Sequence, residues 1–327
     1  MKLSPLLLFP VLALPIAAQI SIGDNLALEG AGSFGFVSQD STASGESSSL
    51  GFQEIILGLE FNLNQLDAEV ILELDDGTAE VDAVFFNYAY SDIVSISAGR
   101  MYSLLLYEDI LLTQRLTRSL AHTLLEEIVP AANTGIRGIA ETEKGWVSVG
   151  WTDKIWDQPT DRSGLLNGGN GAVELQLGFL PFSGLEIALT YGGQDSGDSG
   201  PSGQMWDFWI QHEGEKHLLV AEYVDFENAG AQDADSNGAF ANSEYLSGKS
   251  WMLLGSYKTT PVSSMTFRVS HEEQDGVQEA FKWAVVPAYE FSDNLTLRAE
   301  FSHETQESPG AVDMEVDIFS VEGLLRF

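Results

Sequence analysis

From about residue 25 to Phe327 the chain repeats one pattern some sixteen times: a short segment of alternating apolar and polar side chains, followed by a turn or loop. In one segment Leu66, Ala68, Val70, Leu72 and Leu74 lie on one side, and Asp67, Glu69, Ile71, Glu73 and Asp75 on the other. Val173, Leu175, Leu177 and Phe179 likewise oppose Glu174, Gln176 and Gly178, while Leu295, Leu297, Ala299 and Phe301 oppose Thr296, Arg298, Glu300 and Ser302. A period of two sends the two sets to opposite faces of an extended strand. Segments of about ten residues, tilted, are long enough to cross a bilayer's hydrocarbon layer. The predicted fold class is therefore all-β: a transmembrane, antiparallel, up-and-down β-barrel of about 16 strands, oil outside and water within.

The connections supply the orientation. Asn64-Gln65, Ser91-Asp92, Glu143-Lys144, Phe182-Ser183-Gly184, Gly214-Glu215-Lys216 and Ser292-Asp293 are tight, as periplasmic turns are. Longer polar stretches near 39 to 50, 102 to 133, 154 to 171, 194 to 203, 227 to 248 and 305 to 314 fall between them and read as outer loops. The third outer loop, 102 to 133, is the longest, and the second, around Asp75-Asp76-Gly77-Thr78, is short. Both termini then lie on the periplasmic side, which requires an even strand count. Aromatic residues near segment ends, among them Phe36, Tyr88, Tyr90, Trp151, Trp206, Tyr257, Tyr289 and Phe291, suit interfacial girdles.

Composition narrows the function classes. Residues 1 to 18 read as a secretory signal, with Lys2, an apolar run broken by Pro5, Pro10 and Pro15, and small residues Ala17-Ala18 before Gln19. The expected mature domain is 19 to 327, exported to a bacterial outer membrane. No later stretch has the eighteen apolar residues of a membrane helix. Cys is absent, which removes disulfides and thiolate chemistry, and a net charge of −34 disfavours nucleic acid as a partner. The five His residues lack metal-ligand spacing, and Ser119 near His122 does not make a triad, so no enzyme is expected.

The closing strand, with Phe319, Val321, Gly323, Leu325 and a terminal Phe327 on one face, is similar to the C-terminal assembly signal of bacterial outer-membrane barrels. Ala98-Gly99-Arg100-Met101-Tyr102 resembles an element that ends the fifth strand in several porin families. Tyr107-Glu108, Thr117-Arg118-Ser119, Pro130 and Asn133-Thr134-Gly135-Ile136 look like the pattern of the OmpL-like β-barrel porins. The Thr-Pro-x-Gly that usually follows the first element is missing. The resemblance implies a passive channel for small hydrophilic solutes, frequent trimers, and a third outer loop that folds into the lumen and narrows it.

Candidate site residues follow from that geometry. The loop contributes Glu108, Asp109, Arg115, Arg118, Glu126 and Glu127, with a helix-compatible stretch over 110 to 128. The wall contributes Arg137, Arg268, Lys282 and Arg298, against inward carboxylates including Glu29, Glu54, Glu60, Asp67, Glu69, Glu73, Glu174, Glu186, Glu290, Glu300 and Glu322. Charges in a narrow passage act across its whole section, so the carboxylate excess predicts a mild cation preference. Asp233, Asp235, Asn237 and Glu244 have the spacing of a twelve-residue calcium loop, yet strands flank them, so a structural calcium site and an ordinary acidic loop both stay open. Two other readings of the whole also stand: a secreted β-sandwich that binds glycans, and a barrel without an open channel.

Overall fold

The computed structural model describes residues 20–22, 25–75, 78–107, 116–117, 119, 121, 129, 132–153, 155, 171–195, 202–231, 245–310 and 313–326. Among the described residues seventeen strands run β1 (Ile20–Ser21), β2 (Leu26–Ser41), β3 (Gly45–Leu63), β4 (Leu66–Asp75), β5 (Thr78–Ala89), β6 (Val94–Tyr102), β7 (Ala132–Thr142), β8 (Gly145–Thr152) and β9 (Ala172–Phe182). They continue as β10 (Leu185–Gln194), β11 (Gly203–Glu213), β12 (His217–Ala231), β13 (Tyr245–Thr260), β14 (Ser263–Gln274), β15 (Gln278–Ser292), β16 (Leu295–Glu307) and β17 (Met314–Arg326). Each strand from β2 to β17 pairs antiparallel with its sequence neighbours. β17 pairs β2 through Val316↔Ser41 to Arg326↔Ala31, so sixteen strands close into a barrel. β1 continues the seam: Ile20 and Ser21 pair with Leu28 and Ala27 of β2, beyond the point where β17 stops.

Closure explains the alternation. Leu177, Phe179, Val147, Trp151, Phe86, Phe267 and Phe301 project outward and remain exposed, Phe86 at 56% and Phe267 at 55%. So many bare apolar rings are tolerable only where the surrounding solvent is hydrocarbon. The inward set on β14, Thr266, Arg268, Ser270, Glu272 and Gln274, is buried despite being polar. The faces expected for 66–74, 173–179 and 295–302 are those found, with Ile71, Glu174, Gln176, Arg298, Glu300 and Ser302 buried and Val173, Leu177, Phe179, Leu297 and Phe301 exposed. Phe36, Tyr88, Tyr90, Trp151, Trp206, Tyr257, Tyr289 and Phe291 are all exposed, whereas Tyr191, also expected among the outer aromatics, is half-buried and its ring lies 4.7 Å from that of Trp206.

One expected loop is strand instead. The stretch 39 to 50 continues the β2–β3 ladder up to Ser41↔Gly45, leaving residues 42–44 as the turn. Thr42 ties this tip to β17, its N–H donating to the Glu315 carbonyl at 3.0 Å and its Oγ1 accepting from the Glu315 N–H at 2.9 Å. Above the bilayer both faces of a strand meet water, so Glu46-Ser47-Ser48-Ser49 keeps the register and loses the apolar signal.

Candidate functional site

The third outer connection begins where β6 ends. Gly99 has φ 137°, and a Cβ there would lie 2.2 Å from the Val84 carbonyl oxygen, so the approach of β6 to β5 at this point requires glycine. From Tyr102 the chain turns into the barrel, and its backbone is received by the inner wall one group at a time. The Arg137 guanidinium donates to the Tyr102 carbonyl at 2.6 Å and to Glu174 Oε2 at 3.1 Å. Glu174 Oε1 accepts from Ser103 Oγ at 2.6 Å and from the Leu104 N–H at 3.3 Å. Asp207 accepts from the Leu106 N–H at 3.0 Å, and Glu222 from the Tyr107 N–H at 2.6 Å. Leu106 holds φ 68°, a left-handed backbone that lets consecutive N–H groups reach carboxylates on two strands.

The loop then reaches the far wall. Arg268 on β14 donates to Thr117 Oγ1 at 2.6 Å, to Ser119 Oγ at 2.8 Å and to the Ser119 carbonyl. Glu300 on β16 accepts the Ser119 N–H at 3.0 Å. The described part of the third connection is therefore bonded in turn to β9, β11, β12, β14 and β16, inside the barrel. Charged acceptors on backbone N–H groups are about twice as strong as neutral ones, which suits a segment with little secondary structure of its own.

Beneath these bonds the loop packs on an apolar wall. Tyr107 and Ala121 join Trp146, Ala188, Trp209, Leu218, Val220, Met252 and Leu254 in one buried cluster. Leu105 and Val129 join Ile155, Ala172, Met205, Val224, Phe226, Ala229 and Leu246 in another. The Tyr107 and Trp209 rings meet edge to face at 5.4 Å, and Tyr107 donates its hydroxyl to Gln211 at 2.5 Å. Trp146 donates to Gln176 at 2.8 Å and lies over Gly178, where a Cβ would come within 2.2 Å of the indole.

The four expected wall cations all point inward, and none is more than 4% exposed. Each has a described partner. Arg137 pairs with Glu174, Arg298 with Glu322 at 2.7 Å, and Lys282 with Glu272 at 3.4 Å and Glu304 at 3.8 Å, while Arg268 holds the loop. The structure thus separates them by role: Arg137 and Arg268 hold the loop, whereas Lys282 and Arg298 pair within the wall. Across the seam the inward positions of β2 to β4 carry Glu29, Glu54, Glu60, Asp67, Glu69 and Glu73, with Glu60 directly opposite Glu69. Glu108, Asp109, Arg115, Arg118, Glu126 and Glu127, with most of the stretch 110 to 128, lie outside the described residues, as do Asp233, Asp235, Asn237 and Glu244.

Sequence reasoning missed Asp207 and Glu222. Asp207 sits within Met205-Trp206-Asp207-Phe208-Trp209, where apolar residues on both faces hide the alternation. The signal was that doubled apolar pattern itself. A strand apolar on both faces is covered on both faces, so β11 to β13 already implied a segment packed inside.

The family model described as "Putative beta-barrel porin-2, OmpL-like" matches residues 67–320. Among solved structures the chain is similar to OprB of Pseudomonas putida, at 11% identity and a TM-score of 0.69 over 93% of this chain and 94% of that one. It is also similar to the outer-membrane channel DcaP of Acinetobacter baumannii, at 8% identity and a TM-score of 0.68 over 95% and 100% of the two chains. OmpT of Vibrio cholerae, in vitro folded and in trimer form, aligns at 13% identity and a TM-score of 0.62 over 93% and 100%. At these identities the structural likeness concerns the fold. No curated protein matches the sequence.

Proposed function

The chain belongs to the OmpL-like β-barrel porins of the outer membrane, and on that premise we propose that it is a diffusion channel for small hydrophilic solutes with a mild preference for cations. The observation that carries this reading is the path of the third connection, which is bonded across the interior from Glu174 to Glu300. It packs on the apolar inner faces of β8 to β13 and is anchored to Arg268 on β14 and Glu300 on β16, so this reading puts the passage beside the half-buried carboxylates of β2 to β4. The wall cations of β14 to β16 are paired, whereas β2 to β4 present carboxylates on adjacent strands, which favours cations in a narrow passage. The reading includes export by the leader 1 to 18 and a homotrimer like the trimer form of Vibrio cholerae OmpT.

Planar-bilayer recording tests it: stepwise conductance is expected, with a reversal potential in a salt gradient on the cation side. Reversal on the anion side would overturn the charge assignment while leaving the channel. The buried cluster around Trp209 favours one second reading, a barrel filled on one side and closed on the other. Absence of any conductance from folded, heat-modifiable protein would select it.

A further inference from the structure

His212 is the next-to-last residue of β11 and His217 opens β12, on either side of the turn 214–216 at the barrel's short-turn end. Their neighbours Gln211 and Leu218 are buried on the inner side, so both imidazoles face outward at the rim. The rings are inclined by only 22°, their centroids are 5.1 Å apart, and His212 Nδ1 lies 3.0 Å from His217 Nε2. At that separation two neutral imidazoles share one proton, one nitrogen donating its N–H and the other offering a lone pair.

From this geometry we propose that His212 and His217 form a chelating site for one divalent transition-metal ion of the zinc and copper class. Such ions bind imidazole nitrogen at about 2.0–2.1 Å, which puts two adjacent ligands about 2.9–3.4 Å apart. The pair is already at that spacing, and modest ring rotations aim both lone pairs at one point. The proton between the rings moves to the outer nitrogen of its own imidazole, so each neutral ring keeps one N–H and offers one lone pair to the metal, and water fills the other coordination positions. Nitrogen ligands disfavour calcium and magnesium, which take oxygen.

The turn holds the pair in place. Gly214 donates to the His217 carbonyl at 2.8 Å, and a Cβ on Gly214 would lie 2.5 Å from His217 Cε1, so glycine is what lets the ring rest against the turn. Phe182 flanks His212 at 6.5 Å. The other described histidines are engaged differently: His271 bonds Glu279 at 2.7 Å and His303 bonds Asp317 at 2.8 Å.

The test is calorimetric titration of untagged, detergent-folded barrel with zinc and with copper(II), in excess calcium to occupy acidic loops. Copper(II) paramagnetic resonance counts the nitrogens. One ion per chain is expected, with two nitrogens and affinity falling about tenfold or more in His212→Asn or His217→Asn as the second tethered ligand is lost. Gly214→Ala keeps both ligands and is expected to weaken binding by displacing the His217 ring. Heat-shifted gel migration establishes that each variant is folded. Equal affinity in wild type and both histidine variants, or no binding by the wild type, would overturn the proposal.

Discussion

The inner faces of β8 to β13 and of β14 to β17 obey the same alternation and do opposite work. On the first, Trp146, Trp209, Val220 and Met252 are buried under the loop, with Glu174, Asp207 and Glu222 among them as hydrogen-bond acceptors. On the second, Arg298 and Lys282 pair with carboxylates of their own wall. The same inward parity thus serves an apolar interior under the loop on one side and a buried, charge-paired one on the other. What an inward residue does depends on whether the loop covers it, so its charge alone does not assign it to the passage.

Removing residues 105–128 is the strongest way to break the contrast. It uncovers the apolar half, and single-channel conductance is expected to rise by more than any point substitution produces. An unchanged conductance would place the loop outside the conducting path. Trp209→Ala strikes the covered wall directly, and truncating a large buried aromatic costs about 3–5 kcal/mol. Urea unfolding in detergent should show that loss, together with faster proteolysis of the third connection.

Glu174→Gln sharpens the distinction between packing and anchoring. It leaves the apolar cluster intact but removes the charge that pairs Arg137 and receives Ser103 and Leu104. Part of the amide's hydrogen bonding survives, so the expected loss is about 2–3 kcal/mol, with noisier, more frequently interrupted current. Glu69→Gln probes the uncovered wall and should be the mildest change. Neutralising Glu69 relieves its repulsion with Glu60, stability moves by no more than about 0.5 kcal/mol, and the reversal potential shifts toward anions. That shift should fade near 1 M salt, where screening acts within about 3 Å. A larger stability change at Glu69 than at Glu174 would contradict the division of the wall.

The barrel was legible because lipid and water impose opposite demands on successive residues, and Leu66 to Leu74 or Leu295 to Phe301 display this without help from tertiary context. Legibility failed where that pair of solvents ended. At 41 to 49 both faces meet water, and the strands outlast their apolar pattern. At Asp207 and Glu222 the inner solvent is replaced by protein, so carboxylates that hold backbone N–H groups sit among tryptophans and valines. Arg137 and Arg268 could be placed inward from parity, but their engagement with Tyr102, Thr117 and Ser119 depends on how a loop crosses space, which no local period encodes.

The bond between Ser119 and Glu300 spans 181 positions along the polymer. Its acceptor lies on the penultimate stave, so the clasp cannot fasten until nearly the whole ring has been laid down. Contacts this remote in sequence form late and slowly. The interior is therefore expected to set after the ring has closed, and protease resistance of the third connection measured against heat-modifiable migration during refolding would show that order.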